Sequence, residues 1–112
     1  MNINIKVLKQ VTVIEMAGDV DAKTTPIVTD QVLPLVLPQC RLLLDMTKVL
    51  YMSSAGLRMM LLLYRQASSQ NGHLVLVGLS EEIQDTMSIT GFLDFFTTCK
   101  TLDSGLKTLC AN

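Results

Sequence analysis

The run Asp45-Met46-Thr47-Lys48-Val49-Leu50-Tyr51-Met52-Ser53-Ser54-Ala55-Gly56-Leu57 separates two different hydrophobic patterns. Before it, Arg41 to Asp45 contains Leu42-Leu43-Leu44, a short unbroken apolar run of the kind found in strands covered on both faces, as central parallel strands are. Asp45 then falls at the carboxyl end of the predicted strand. After the run, apolar residues recur at helical spacing, which predicts a helix from about Ala55 to Ser68. Met59, Met60, Leu63, Tyr64 and Ala67 take its inward face, while Arg58, Arg65 and Ser69 form a polar stripe flanked by Leu61 and Leu62. Ser53 or Ser54 supplies the N-cap.

Outward from this strand-turn-helix junction, Asn2 to Val7 puts Ile3, Ile5 and Val7 on one side and Asn2, Asn4 and Lys6 on the other, the period of a half-buried edge strand. Val11 to Ala17 is rich in β-branched residues and ends at Gly18, so the two runs read as an antiparallel hairpin turning at Lys9-Gln10. Thr24-Thr25-Pro26 offers a hydroxyl cap followed by proline at the first helical position. A helix through Ile27, Val28, Val32, Leu35 and Val36 is expected, its last turn broken or kinked by Pro34 and its end set by Pro38. His73 to Val77, between Gly72 and Gly78, reads as another buried strand. Ser80-Glu81-Glu82 starts a third helix with a hydroxyl cap and two acids at its positive end, and Gly91 closes it. Phe92 to Phe96 reads as a last short strand, and Asp103 to Cys110 as a terminal helix with Leu106 and Leu109 inward. The expected fold is α/β: one domain over residues 1–112, with an opening antiparallel hairpin, then parallel strands in a mixed sheet, and about four helices.

Composition narrows the function. Nine Lys plus Arg against ten Asp plus Glu leave a net charge of -1, with no cationic field to hold a nucleic acid or an anionic membrane. No stretch approaches the roughly 18 apolar residues that span a bilayer, and the start lacks the pattern of a secretory signal, so a cytoplasmic protein is expected. Cys40, Cys99 and Cys110 show no C-x-x-C spacing and read as small buried hydrophobes. Catalytic equipment is sparse. His73 is the single histidine, without ligand spacing around it, and the pair Asp19 and Asp21 reads as a turn and helix cap rather than a calcium loop. No glycine-rich phosphate loop is present, so neither metal nor nucleotide cofactor is expected.

The junction itself carries two possibilities. Its serines resemble a nucleophile elbow, yet Met52 stands where the first glycine of that motif belongs and no histidine is placed to act as base. Its helix N-terminus, by contrast, would tolerate a phosphate esterified to Ser54 without unfolding what surrounds it. Apolar residues beside the stripe arginines are either ordinary surface or the rim of a docking face.

Asp45-x-Thr47-x-Val49-x-x-Met52-Ser53-Ser54-Ala55-Gly56 resembles the central pattern of the STAS domain of bacterial anti-sigma factor antagonists, which has Asp where Ser53 stands. Gly18-Asp19-Val20-Asp21 is similar to the family's turn between the second strand and the first helix, and Gly72 to Gly78 fits the following strand. The resemblance covers essentially the whole chain. It implies a non-enzymatic partner-switching protein: unphosphorylated, it binds a serine-kinase anti-sigma factor with a histidine-kinase-like ATPase fold and so releases a sigma factor. The kinase would modify Ser54, or less readily Ser53, and a PP2C-type phosphatase would reverse the modification. By the same resemblance the partner face comprises Asp21, Thr24, Thr25, Ser53, Ser54, Ala55, Gly56, Arg58 and Leu62. The alternatives are a STAS interaction or ligand-sensing module of a larger signalling assembly in which Ser54 is never phosphorylated, and a small hydrolase using Ser54.

Overall fold

In the computed structural model, which describes residues 1–110, the chain opens with strands β1 (Asn2–Leu8) and β2 (Val11–Ala17). They pair antiparallel, closing at Leu8↔Val11. Lys9 and Gln10 both take positive φ, 51° and 67°, the two-residue turn whose twist matches that of the flanking strands. From β2 onward the sheet is parallel: β2 pairs with β3 (Arg41–Lys48), β3 with β4 (His73–Val77), and β4 with β5 (Thr97–Cys99). The order is β1-β2-β3-β4-β5. Helices α1 (Thr25–Val32), α2 (Ser54–Ser69), α3 (Glu81–Thr90) and α4 (Leu102–Cys110) complete the α/β architecture.

The apolar run of β3 is explained by cover on both faces, since Leu42, Leu43 and Leu44 are all fully buried. Leu42 and Leu44 join Ile14, Met16, Met60, Leu63, Ile83 and Met87 in the larger core, under α1, α2 and α3. Leu43 faces the other way, with Val11, Val13, Val75, Val77, Leu106 and Leu109, under α4 alone. That second layer is thin and tight. A Cβ on Gly105 would stand 2.7 Å from Val77 Cγ2 and 2.8 Å from Leu43 Cδ1, so α4 approaches the sheet as closely as a glycine allows.

Several local expectations are corrected. β3 continues past Asp45 to Lys48, because its pairing with β2 resumes after a register shift at Ala17↔Lys48. Thr24 precedes α1 but makes no side-chain cap, and Pro26 sits at the second helical position. The first helix ends at Val32 and tightens into a 3₁₀ turn over Leu33–Leu35, where Pro34 cannot donate to the α-helical ladder. Phe92–Phe95 is a 3₁₀ helix rather than a strand. Phe95 at its end and Phe96 just beyond it pack with their ring centres 5.9 and 5.5 Å from that of Tyr64 on α2. The last strand follows at Thr97–Cys99. In β1 the apolar side is mostly uncovered, with Ile5 39% and Val7 67% exposed, since an edge strand meets only one neighbour. None of the cysteines is fully buried: Cys40 and Cys99 are half-buried and Cys110 is exposed. Partial burial pushes the Cys40 thiol up from its ordinary value. Other expectations hold, including the Ser80 cap, whose Oγ accepts from the Ile83 N–H at 3.2 Å, and the left-handed Gly91 that ends α3.

Candidate functional site

The β3–α2 junction is anchored at both ends and exposed in the middle. Asp45 Oδ1 accepts from the Thr47 N–H at 3.0 Å and from Thr47 Oγ1 at 2.6 Å. Val49, whose N–H donates to Met46 O at 3.0 Å, is buried. Leu50 and Tyr51 then turn outward, 74% and 54% exposed, before Met52 returns to the core.

A second segment, the β2–α1 loop, runs alongside. Gly18 N–H donates to Lys48 O at 3.2 Å, Val20 N–H to Tyr51 O at 3.0 Å, and Ser53 N–H back to Val20 O at 2.9 Å. Val20 and Met52 thereby form a parallel bridge outside the named strands. The bridge joins residues distant in sequence, and it brings Asp21, Thr24 and Thr25 to the same end of the molecule as Ser53 and Ser54. The loop is knotted by its own polar groups. Asp21 Oδ1 accepts from the Lys23 and Thr24 N–H groups at 2.9 and 3.1 Å, an Asx-type turn. Thr24 Oγ1 donates to Asp19 O at 2.7 Å and accepts from the Asp21 N–H at 2.9 Å. These bonds explain why Thr24 does not cap α1: its hydroxyl is committed to the loop.

The two serines play different parts. Ser53 is extended (φ -81°, ψ 175°) and caps α2, its Oγ accepting from the Gly56 N–H at 3.3 Å and its carbonyl accepting from the Leu57 N–H at 3.0 Å. Ser54 is the first residue of α2, exposed, and its hydroxyl has no partner among the described residues. The helix therefore starts one residue earlier than the spacing of its apolar positions implies. Gly56 is buried where a Cβ would stand 2.6 Å from Met52 Cγ, 2.8 Å from Val20 O and 2.9 Å from Val20 Cγ1. Any side chain there would push against the carbonyl that holds Ser53.

Further along α2, Gly56, Leu57, Met59, Met60, Leu63 and Ala67 are buried, Tyr64 is half-buried, and Arg58 and Leu62 are exposed. Ala55 is half-buried beside Ser54. A shallow cleft of about 160 Å³ opens next to the junction, lined by Leu50, Tyr51, Met52 and Leu57 with Glu82, Ile83 and Thr86 of α3. Sequence reasoning placed none of Leu50, Tyr51, Glu82, Ile83 and Thr86 at a site. Two large apolar side chains in a loop were the available signal. Among the described residues, no three His, Cys, Asp or Glu side chains gather as metal ligands, and no helix is long and apolar enough to cross a membrane.

The profile of the STAS domain family matches residues 2–105. The chain belongs to the STAS domain family. The anti-sigma-B factor antagonist of Bacillus subtilis is a relative 28% identical over 109 residues, covering 96% of this chain and all of that protein. BtrV of Bordetella bronchiseptica, a proposed anti-sigma factor antagonist, is 41% identical over 56 residues. That match spans about half of each protein, 50% of this chain and 48% of BtrV. Among solved structures, the Bacillus cell fate determinant SpoIIAA in its phosphorylated form superposes with a TM-score of 0.73 at 14% identity, covering 96% of this chain and 99% of that one. At that identity the likeness is one of fold. The expected STAS architecture, an antiparallel hairpin continued by parallel strands, is the one observed.

Proposed function

We propose that this chain is an anti-sigma factor antagonist that works by partner switching under the control of a phosphate on Ser54. In its unmodified state it binds a serine-kinase anti-sigma factor of histidine-kinase-like ATPase fold in the cytoplasm, and a sigma factor is released. The chain itself catalyses nothing. The kinase transfers the γ-phosphoryl group of ATP to Ser54 Oγ, which loses its hydroxyl proton, and ADP leaves. A PP2C-type phosphatase hydrolyses the ester and restores the binding form.

The observation that carries this reading is the division of labour between the two serines. Ser53 is occupied as the helix cap, while the Ser54 hydroxyl, on the first residue of α2, is exposed and has no partner among the described residues. A phosphate there meets the positive end of the helix dipole and displaces no existing side-chain bond. The replacement of the family's usual Asp by Ser53 keeps the capping role, since Asp and Ser cap comparably well. The proposed partner face comprises Asp21, Thr24 and Thr25 on the loop, Ser53 to Gly56 at the turn, and Arg58 and Leu62 on α2. About two negative charges placed on a face that must shed water to dock cost several kcal/mol where the partner is acidic, and each 1.4 kcal/mol is tenfold in affinity.

The test is incubation with the cognate kinase and ATP, read by mass spectrometry. Ser54 is expected to carry the label, and Ser54→Ala to abolish it. Unchanged labelling of Ser54→Ala would remove Ser54 from the mechanism.

A further inference from the structure

The exposed side of α2 carries more than the serine. Taking 100° per residue, Ser54, Arg58, Leu62, Arg65 and Ser69 fall within about 80° of arc on one stripe, and all five are exposed. The helix, SAGLRMMLLLYRQASS, contains two arginines and no acid. Lys6 has Glu15 at 3.3 Å, but among the described residues neither Arg58 nor Arg65 has an ion-pair partner. A chain of net charge -1 thus presents a stripe of two unneutralised guanidinium groups, with the exposed Leu62 lying between them along the helix.

Arg58 stands four residues after Ser54, the spacing at which helical side chains meet, with Cβ atoms about 6 Å apart. Guanidinium is also the side chain best matched to phosphate oxygens. We propose that Arg58 is the internal partner of a phosphate on Ser54, and that the stripe of Arg58, Leu62 and Arg65 fits a partner surface bearing carboxylates. The inference rests on the reading of Ser54 as the modified residue. Its consequence differs from simple repulsion. A phosphate of about -1.5 to -2 occupies Arg58 and more than offsets its single charge, so an acidic partner loses that arginine's attraction as well as meeting a new anion. Arg58 acts on the switch by position, through the phosphate, and has no chemistry of its own to perform.

Phosphoserine installed at position 54 by genetic code expansion separates this from the question of whether a kinase modifies the site. The second ionisation of the phosphate is followed by ³¹P NMR against pH at low salt, in the otherwise native chain and in Arg58→Ala, Arg58→Lys and Arg65→Ala. Arg58 favours the dianion, so the midpoint is expected about 0.3 pH unit lower in the native chain than in Arg58→Ala. Arg58→Lys should recover part of that difference, and about 1 M salt should erase it. Arg65, about 16 Å along the helix from Ser54, should leave the midpoint unchanged on substitution. Coincident titrations of the native chain and Arg58→Ala, or an equal effect of Arg65→Ala, would overturn the proposal. Failure of kinase labelling in a separate experiment would count against the Ser54 reading and leave this pairing standing.

Discussion

Gly56→Ala is the substitution in which helix propensity and tertiary packing point in opposite directions. Gly56 lies in the first turn of α2, where alanine is favoured over glycine by up to about 1 kcal/mol. Propensity alone therefore forecasts stabilisation. The added methyl would stand 2.6 Å from Met52 Cγ, 2.8 Å from Val20 O and 2.9 Å from Val20 Cγ1. Met52 can swing aside, but Val20 O is backbone and is the acceptor for the Ser53 N–H at 2.9 Å. Moving it strains the Val20–Met52 bridge, the contact that holds the β2–α1 loop against the turn. Overpacking costs about 1–3 kcal/mol and a weakened hydrogen bond about 1 kcal/mol. After subtracting the propensity gain, the variant should be destabilised by about 1–3 kcal/mol, or about 4–12 °C in Tm for a chain of this size. Urea unfolding followed by circular dichroism measures the first, and a thermal melt the second. Faster hydrogen exchange at the Ser53 amide would locate the damage. A Gly56→Ala protein as stable as the parent, or more so, would refute the packing account of this glycine.

Two further outcomes follow from the same geometry. Ser53→Ala removes the acceptor for the Gly56 N–H and should cost about 1 kcal/mol in urea unfolding, whereas Ser53→Asp, which restores the residue usual in the family, should match or exceed the parent; equal losses in both would show that Ser53 does not function as a cap. Burial raises the Cys40 thiol in the folded state, so the fold favours the protonated form, and that contribution is present below the unfolded thiol's pKa and lost as pH rises through the higher folded value. Iodoacetamide at mildly alkaline pH should therefore alkylate the exposed Cys110 before Cys40, as peptide mapping over time would record, and equal rates would contradict the assignment.

Local patterns in the sequence determined the elements themselves. The triple leucine of β3, the alternation in β1, the helical spacing from Leu57 to Ala67, and the hydroxyl and glycine that bracket α3 each express a period or cap complete within a few residues. The junction motif likewise pointed to the correct turn, because its small residues are contiguous. Tertiary structure decided what depends on distant partners. Phe92 to Phe96 resembles a strand by composition, yet its rings are drawn to Tyr64 on α2, and a 3₁₀ turn is the backbone that delivers them. Thr24 has the identity of a cap, but the carbonyl of Asp19 and the amide of Asp21 compete for its hydroxyl. Ile5 and Val7 alternate as core residues do, and only the place of β1 at the sheet edge leaves them exposed. The bridge between Val20 and Met52 has no signal in either segment alone. It forms because parallel pairing of β2 with β3 carries both chains to the same end of the sheet, and it assigns the cap to Ser53 while the hydroxyl of Ser54 has no partner among the described residues.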